Sequence, residues 1–402
     1  MEPILWEWLS MAVRWLHVIA GIAWIGSSFY FVHLDSSLKK RDGLPEGAGG
    51  EAWQVHGGGF YHMVKYLVAP SQMPDELTWF KWEAYATWMS GFALLVIVYY
   101  FGASLYMIDP GVLALPPWAA IVISLAGLAV GWLAYNYMCR SPLGEDDVRL
   151  AAAGFAFIVA LAYLFTWVFS GRGAFMQMGA LIGTIMAANV LMIIIPNQQK
   201  VVDALLAGQV PDPKYGAEAK QRSMHNNYLT LPVLFVMISN HYPLAFASRF
   251  NWLILALVLV VGAVIRHFYN TRHKGLPSPW WTWYVAAVGM LLIMWLSSMK
   301  PVDVEAAAAP DEPVTFAMAE EVVLSRCSMC HTAEPMWEGI HVPPKNVVLD
   351  SPEHIRGHAD QIYLQAAYTH AMPPGNVTEI TPEERKILAL WVEAGAPGPK
   401  KR

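Results

Sequence analysis

The sequence predicts an all-α protein in two parts: a polytopic bundle of eight transmembrane helices, then a small all-α domain. Three observations carry that prediction. The chain is 56% hydrophobic and only 14% charged, and it holds 18 tryptophans, too apolar and aromatic for a soluble protein of 402 residues. It contains eight apolar runs of the length that a ~30 Å hydrocarbon layer requires. Its last hundred residues are polar instead and carry a compact cysteine motif.

The runs lie near residues 8–34, 84–105, 117–138, 149–170, 174–196, 228–248, 251–269 and 281–299, within an integral membrane domain over 1–300. The first is not read as a cleaved signal, because its positive cluster Lys39-Lys40-Arg41 follows the apolar stretch instead of preceding it. Loops after the odd-numbered helices hold fourteen cations, Arg222 and Arg266 among them, against only Arg172 and Arg249 in the short loops opposite. Cations mark the cytoplasmic side, so both termini are expected outside, in the periplasm of a bacterial inner membrane. The net charge of −5 sits mostly in the tail, where acidic residues outnumber basic ones, which excludes nucleic acid as a partner.

Residues 301–314, rich in Ala, Pro and acids, read as a semi-rigid linker to a domain over 315–402. There the run Cys327-Ser-Met-Cys330-His331 has the spacing for two thioethers to one haem, with the adjacent histidine as axial ligand. A zinc site would need a second Cys or His pair, and the only other cysteine, Cys139, lies in an apolar run. Met372, in Ala371-Met372-Pro373-Pro374, supplies a soft thioether for the other face; His341, His354, His358 and His370 are weaker alternatives. Thr381-Pro382-Glu383-Glu384 opens a helix as a capping box whose stripe Ile387, Leu388, Trp391 and Val392 faces the core. The domain reads as a class I cytochrome c with one covalent haem c, and haem attachment belongs to the oxidising outer side as well.

Ionisable residues at membrane depth cost free energy and call for a reason. Arg14 and His17 stand one turn apart on the first helix, with Gly21, Trp24 and Ser28 on the same face. His17 can ligate a haem b and Arg14 can pair with its propionate, with His241 at the outer end of the sixth helix as second ligand; a hydrogen-bonded interhelical histidine is the alternative for His17. The inner segments hold His56-Gly-Gly-Gly-Phe-Tyr-His62 and Ser223-Met-His225-Asn226-Asn227-Tyr228, with Asn136 and Asn270 at nearby helix ends. Amides and imidazoles there can pair with a heterocycle, although each residue taken singly also reads as a helix cap or interfacial group.

The segment from Trp15 to Asp35, the His56-Gly-Gly-Gly-Phe-Tyr run, the Ser-Met-His-Asn-Asn-Tyr run and the C-terminal Cys-Ser-Met-Cys-His with Ala-Met-Pro-Pro resemble the bacterial membrane-bound, cytochrome-c-containing urate oxidase family over essentially the whole length. The resemblance implies oxidation of urate to 5-hydroxyisourate without peroxide. Electrons would leave through the fused cytochrome to a respiratory acceptor such as cytochrome c oxidase or a soluble cytochrome c. His56, His62, His225, Asn226 and Asn227 are the expected catalytic residues; Cys327, Cys330, His331 and Met372 hold haem c, and His17, His241 and Arg14 hold haem b. Partners are then urate and membrane lipid. A quinol:cytochrome c oxidoreductase is the alternative reading, and a transporter carrying a cytochrome is a third.

Overall fold

The structure, a computed structural model, describes residues 2–68, 70, 74 and 76–399. It is mostly helical. Helix α1 (Glu2–Ser37) is followed by an antiparallel hairpin, β1 (Ala48–His56) and β2 (Gly59–Tyr66), where loop was expected. The physical reason is legible in hindsight: Gly57 and Gly58 both take positive φ, 59° and 81°, which a two-residue hairpin turn demands. Residues that favour strands, Trp53, Val55, Phe60 and Tyr61, flank that turn.

Each of the eight apolar runs falls in helical structure. Helix α2 (Trp82–Leu94) passes into a π turn, Leu95–Tyr100, and a short α3 (Ala103–Tyr106). Next come α4 (Pro117–Arg140) and α5 (Asp147–Phe165). Helix α6 (Gly171–Ala188) continues through a second π turn, Asn189–Ile194, into α7 (Ile195–Leu206). Helices α8 (Pro213–Ser239), α9 (Pro243–Phe246), α10 (Asn251–His273) and α11 (Trp281–Ser297) complete this part. Among the described residues five stretches are long and apolar enough to cross a membrane: Ile4–Ser37, Pro117–Arg140, Asp147–Phe165, Gly171–Leu206 and Asn251–His273. The shortfall from eight has local causes. Helix α2 has 13 residues before its π turn, α11 has 17, and the first half of α8 is polar.

Helix α6 lies at the centre, with Leu181, Ile182 and Ile185 fully buried, while α1 is peripheral and packs along α2. The outer face of α1 exposes Trp8, Trp15 and Ile22, apolar surface that lipid accommodates and water does not. Helices α8 and α10 approach closely because Gly262 has no side chain; a Cβ there would stand 2.6 Å from Pro232 Cδ.

A second, separate core forms in the C-terminal unit from α13 (Phe316–Arg326), α14 (Pro352–Gly357), α15 (Ala359–Ile362) and α16 (Pro382–Glu393), with Leu388 and Trp391 fully buried. The capping box is present, Thr381 and Glu384 each bonding the other's backbone N–H. The unit is seated on the bundle end where α8 finishes and α6 and α10 begin. Tyr368 Oη donates to the Ser298 carbonyl at 2.6 Å, and Lys300 pairs with Glu393 at 2.8 Å. His370 meets Asp303, in the linker helix α12 (Val302–Ala306), at 3.3 Å. Gly375, at φ +56°, lets the Pro374–Asn376 loop close on α3, where any Cβ would run into the Ile108 carbonyl.

Candidate functional site

The richest polar constellation lies in the half of the bundle away from the C-terminal unit. It is built around two buried arginines. Arg222 is 3% exposed and Arg266 6%. Sequence reasoning had counted both as loop cations; they sit inside α8 and α10, which removes two of the fourteen cations from the orientation argument.

Guanidinium only donates, so each arginine fixes the amides around it. Arg222 Nη1 donates to Asn189 Oδ1 at 3.4 Å and Nη2 to Asn136 Oδ1 at 2.9 Å. With its oxygen so held, Asn189 turns Nδ2 toward Asn226 Oδ1 (2.9 Å) and the Tyr135 hydroxyl (3.1 Å). The π turn beginning at Asn189 is the local distortion that presents this amide. Tyr135 accepts from Asn189, so its own proton points to His225 Nδ1 at 2.7 Å, and neutral His225 carries its hydrogen on Nε2.

One residue further along α8 the second half begins. Arg266 Nε donates to Asn227 Oδ1 at 3.2 Å and Nη2 to Asn270 Oδ1 at 3.1 Å, and its guanidinium lies 3.9 Å above the centre of the Phe29 ring. Asn270 Nδ2 also donates to Asn227 Oδ1, at 3.0 Å. Asn227 is thereby forced to aim Nδ2 away, where this buried donor has no acceptor. No carboxylate among the described residues pairs with Arg222 or Arg266. Two buried cations are held by amide oxygens and aromatic faces, without a carboxylate. The arrangement offers positive charge, an idle N–H donor and a hydrogen-bonded Tyr135–His225 pair.

The structure therefore brings His225, Asn226 and Asn227 together, with Asn136 and Asn270. It does not join His56 and His62 to them. His56 is exposed beside the hairpin turn, and His62 is stacked on Trp53 at 4.2 Å with Nε2 on Glu51 at 2.6 Å, within its own hairpin. Sequence reasoning missed Arg222, Arg266, Asn189 and Tyr135. A signal existed: Arg222 and Asn226, and Arg266 and Asn270, are each four apart on one helix face.

Two places were expected to hold haem. At the C-terminal one, His331 Nδ1 lies 3.0 Å from the Val347 carbonyl, to which it donates, leaving Nε2 free as a ligand. Cys327 and Cys330 are unpaired thiols, and burial pushes Cys327 up to about 12. Cys327 and Met372 border the same core, and Arg385 pins the methionine loop by donating to the Ala366 and Met372 carbonyls. That donor set fits haem c. In the bundle, His17 Nδ1 lies 3.0 Å from the Thr87 carbonyl and 3.2 Å from Ser90 Oγ, again leaving Nε2 free. Gly91 makes room for the ring: a Cβ there would be 2.8 Å from His17 Cε1. His241 lies beyond the end of α8, and Arg14, one turn before His17 on α1, is near enough for its charge to act on His241. No contact joins His17 to His241 directly among the described residues; the imidazole with one nitrogen anchored and the nearby cation fit a haem b.

Fold and site together define a largely helical protein, with several membrane-length helices, that buries a cluster of two arginines and five asparagines with no carboxylate. The family model described as urate oxidase N-terminal matches residues 3–297, and the chain belongs to that family. No curated protein and no solved structure matches it.

Proposed function

We propose that the chain is a membrane-bound urate oxidase that takes electrons from urate and passes them to a respiratory acceptor instead of to O₂. One observation carries the reading beyond the family match: Arg222 and Arg266 are buried without carboxylates, and Asn227 holds an N–H donor ready beside them. Urate near neutral pH is a planar monoanion whose carbonyls and ring nitrogens suit those donors. The reaction balances as urate anion plus water giving 5-hydroxyisourate, one proton and two electrons.

In this reading Arg266 and Asn227 bind and orient the anion, with Arg222 and Asn226 completing the positive cradle. Tyr135 and His225 move the proton: Tyr135 passes its own to His225 Nδ1 while its oxygen takes one from the reacting purine or water. The buried position excludes bulk water and strengthens each of these contacts. His56 and His62 keep a place only as residues at the approach, since they lie on the exposed hairpin.

His17, His241 and Arg14 would hold haem b, and Cys327, Cys330, His331 and Met372 haem c. Haem bound at these places would supply one-electron redox chemistry across the ~30 Å bundle, whose length exceeds a single electron hop. The remaining segments α2, α8 and α11 complete an eight-span bundle in the bacterial inner membrane, with the cytochrome domain and both termini in the periplasm. The test is urate consumption by purified membranes with ferricyanide as acceptor. Turnover without peroxide supports the reading, and stoichiometric peroxide from O₂ refutes it.

A further inference from the structure

A cavity of about 840 Å³ lies at the opposite end of the bundle, between α5, α6, α9, α10 and the C-terminal unit. It is remote from the Arg222/Arg266 cluster: α8 alone separates Asn227 from Ser239 by about 18 Å of helix rise. Nothing assigned so far uses it.

Two guanidiniums and two carboxylates mark its lining. Arg172 and Arg249 both border it, and neither pairs with a carboxylate among the described residues. Arg172 packs over the Tyr106 ring at 4.6 Å, and its Nε is buried with no hydrogen-bond partner. The two carboxylates keep their charge but bond elsewhere, Asp303 with His370 at 3.3 Å and Asp109 with the Gly111 N–H at 2.9 Å, which leaves both guanidiniums without a direct carboxylate partner. The first residues of α6 and α10, helices of 18 and 23 residues, also line it and add their positive ends. One wall is aromatic: Tyr163 stands edge-to-face with Trp252 at 5.3 Å and with Trp167 at 6.0 Å. The other wall is the Tyr368–Ala371 stretch and Pro374–Gly375 of the C-terminal unit, flanking Met372.

From this combination we infer that the cavity is a second binding site, for a planar organic anion, on the face shared by the bundle and the C-terminal unit. Arg172 and Arg249 grip the negative charge, the idle Arg172 Nε–H meets an acceptor, and the aromatic wall covers the flat face of the ligand. The size admits a single- or double-ring heterocycle with room to spare. Because the site is closed on one side by the C-terminal unit, a bound anion stabilises the docked arrangement by mass action.

Radiolabelled orotate, a flat carboxylate that is not a purine, serves as the probe in equilibrium dialysis against the full-length, haem-loaded protein in detergent. One saturable site is expected. Arg172→Gln combined with Arg249→Gln should weaken it at least tenfold, Trp252→Ala should weaken it less, and Arg266→Gln should leave it unchanged, with the c-type absorbance reporting intact protein throughout. Unchanged affinity in the double variant overturns the inference. Loss on Arg266→Gln alone also overturns it, by placing orotate at the Arg222/Arg266 cluster, yet leaves the proposed function standing. Displacement of orotate by phosphatidylglycerol, with no effect of Trp252→Ala, would identify a lipid phosphate site and reject the planar ligand.

Discussion

Arg266 holds Asn227 by its amide oxygen, 3.2 Å from Nε, and so leaves the amide nitrogen of Asn227 buried and without an acceptor. A donor kept idle beside an unneutralised cation is poor packing for a structural element. It is good preparation for an anion.

Replacing Arg266 should therefore separate stability from function. Arg266→Met removes a buried charge that no carboxylate balances but leaves the Asn270 amide oxygen without its donor, so the two effects oppose and the net change in stability is expected to stay within about 1–3 kcal/mol. Urate turnover should fall by roughly 10- to 150-fold, the range for losing a hydrogen bond to a charged group. Parallel loss of melting temperature and activity would show a structural role instead.

Tyr135→Phe removes one hydroxyl and leaves Asn189 Nδ2 and His225 Nδ1 each short of a partner. If Tyr135 moves protons, kcat should drop at least tenfold while KM changes less than threefold. A rise in KM alone would assign the residue to binding.

Gly91→Val sets a side chain against His17, whose ring is already in the space a Cβ would take, 2.8 Å away. The pyridine haemochrome of this variant should lose b-type signal and keep the c-type signal in full. Retention of both, or a wild-type protein with covalent haem alone, would remove haem b from the account.

The Lys300–Glu393 pair tethers the C-terminal unit to the end of α11. The hydrogen bond from Lys300 holds the Glu393 carboxyl below its ordinary value. A depressed folded-state pKa stabilises above the unfolded value, and that support is lost as pH falls through the folded one. Both side chains are about two-fifths exposed, so the contribution is small, roughly 0.2–1 kcal/mol. Proteolysis of the 301–314 linker should accelerate below about pH 4, and Glu393→Gln should abolish that pH step. A step that persists in Glu393→Gln would assign it to another group.

Much of this was legible beforehand for a definite reason. Apolar runs that became helices and the Thr381–Glu384 cap are local patterns that read directly from neighbours in sequence. The hairpin was missed because His56-Gly-Gly-Gly-Phe-Tyr-His62 was read for its imidazoles, whereas Gly57 and Gly58 make a tight turn. Arg222 and Arg266 were misplaced because a charge near a helix end looks the same in sequence whether it faces water or an Asn oxygen. Only the packing of α4, α6 and α10 on α8 shows that Asn136, Asn189, Asn227 and Asn270 converge on them. The split of His56 and His62 from His225 is likewise a fact of tertiary placement.

The most direct measurement is anaerobic. Urate is added to the detergent-solubilised, haem-loaded protein and the visible spectrum recorded, with Arg266→Gln alongside. The account predicts reduced c-type bands in the wild type on urate addition and a much slower change in Arg266→Gln. A wild-type spectrum unmoved by urate but reduced by a quinol would contradict it and point to a quinol-driven electron relay.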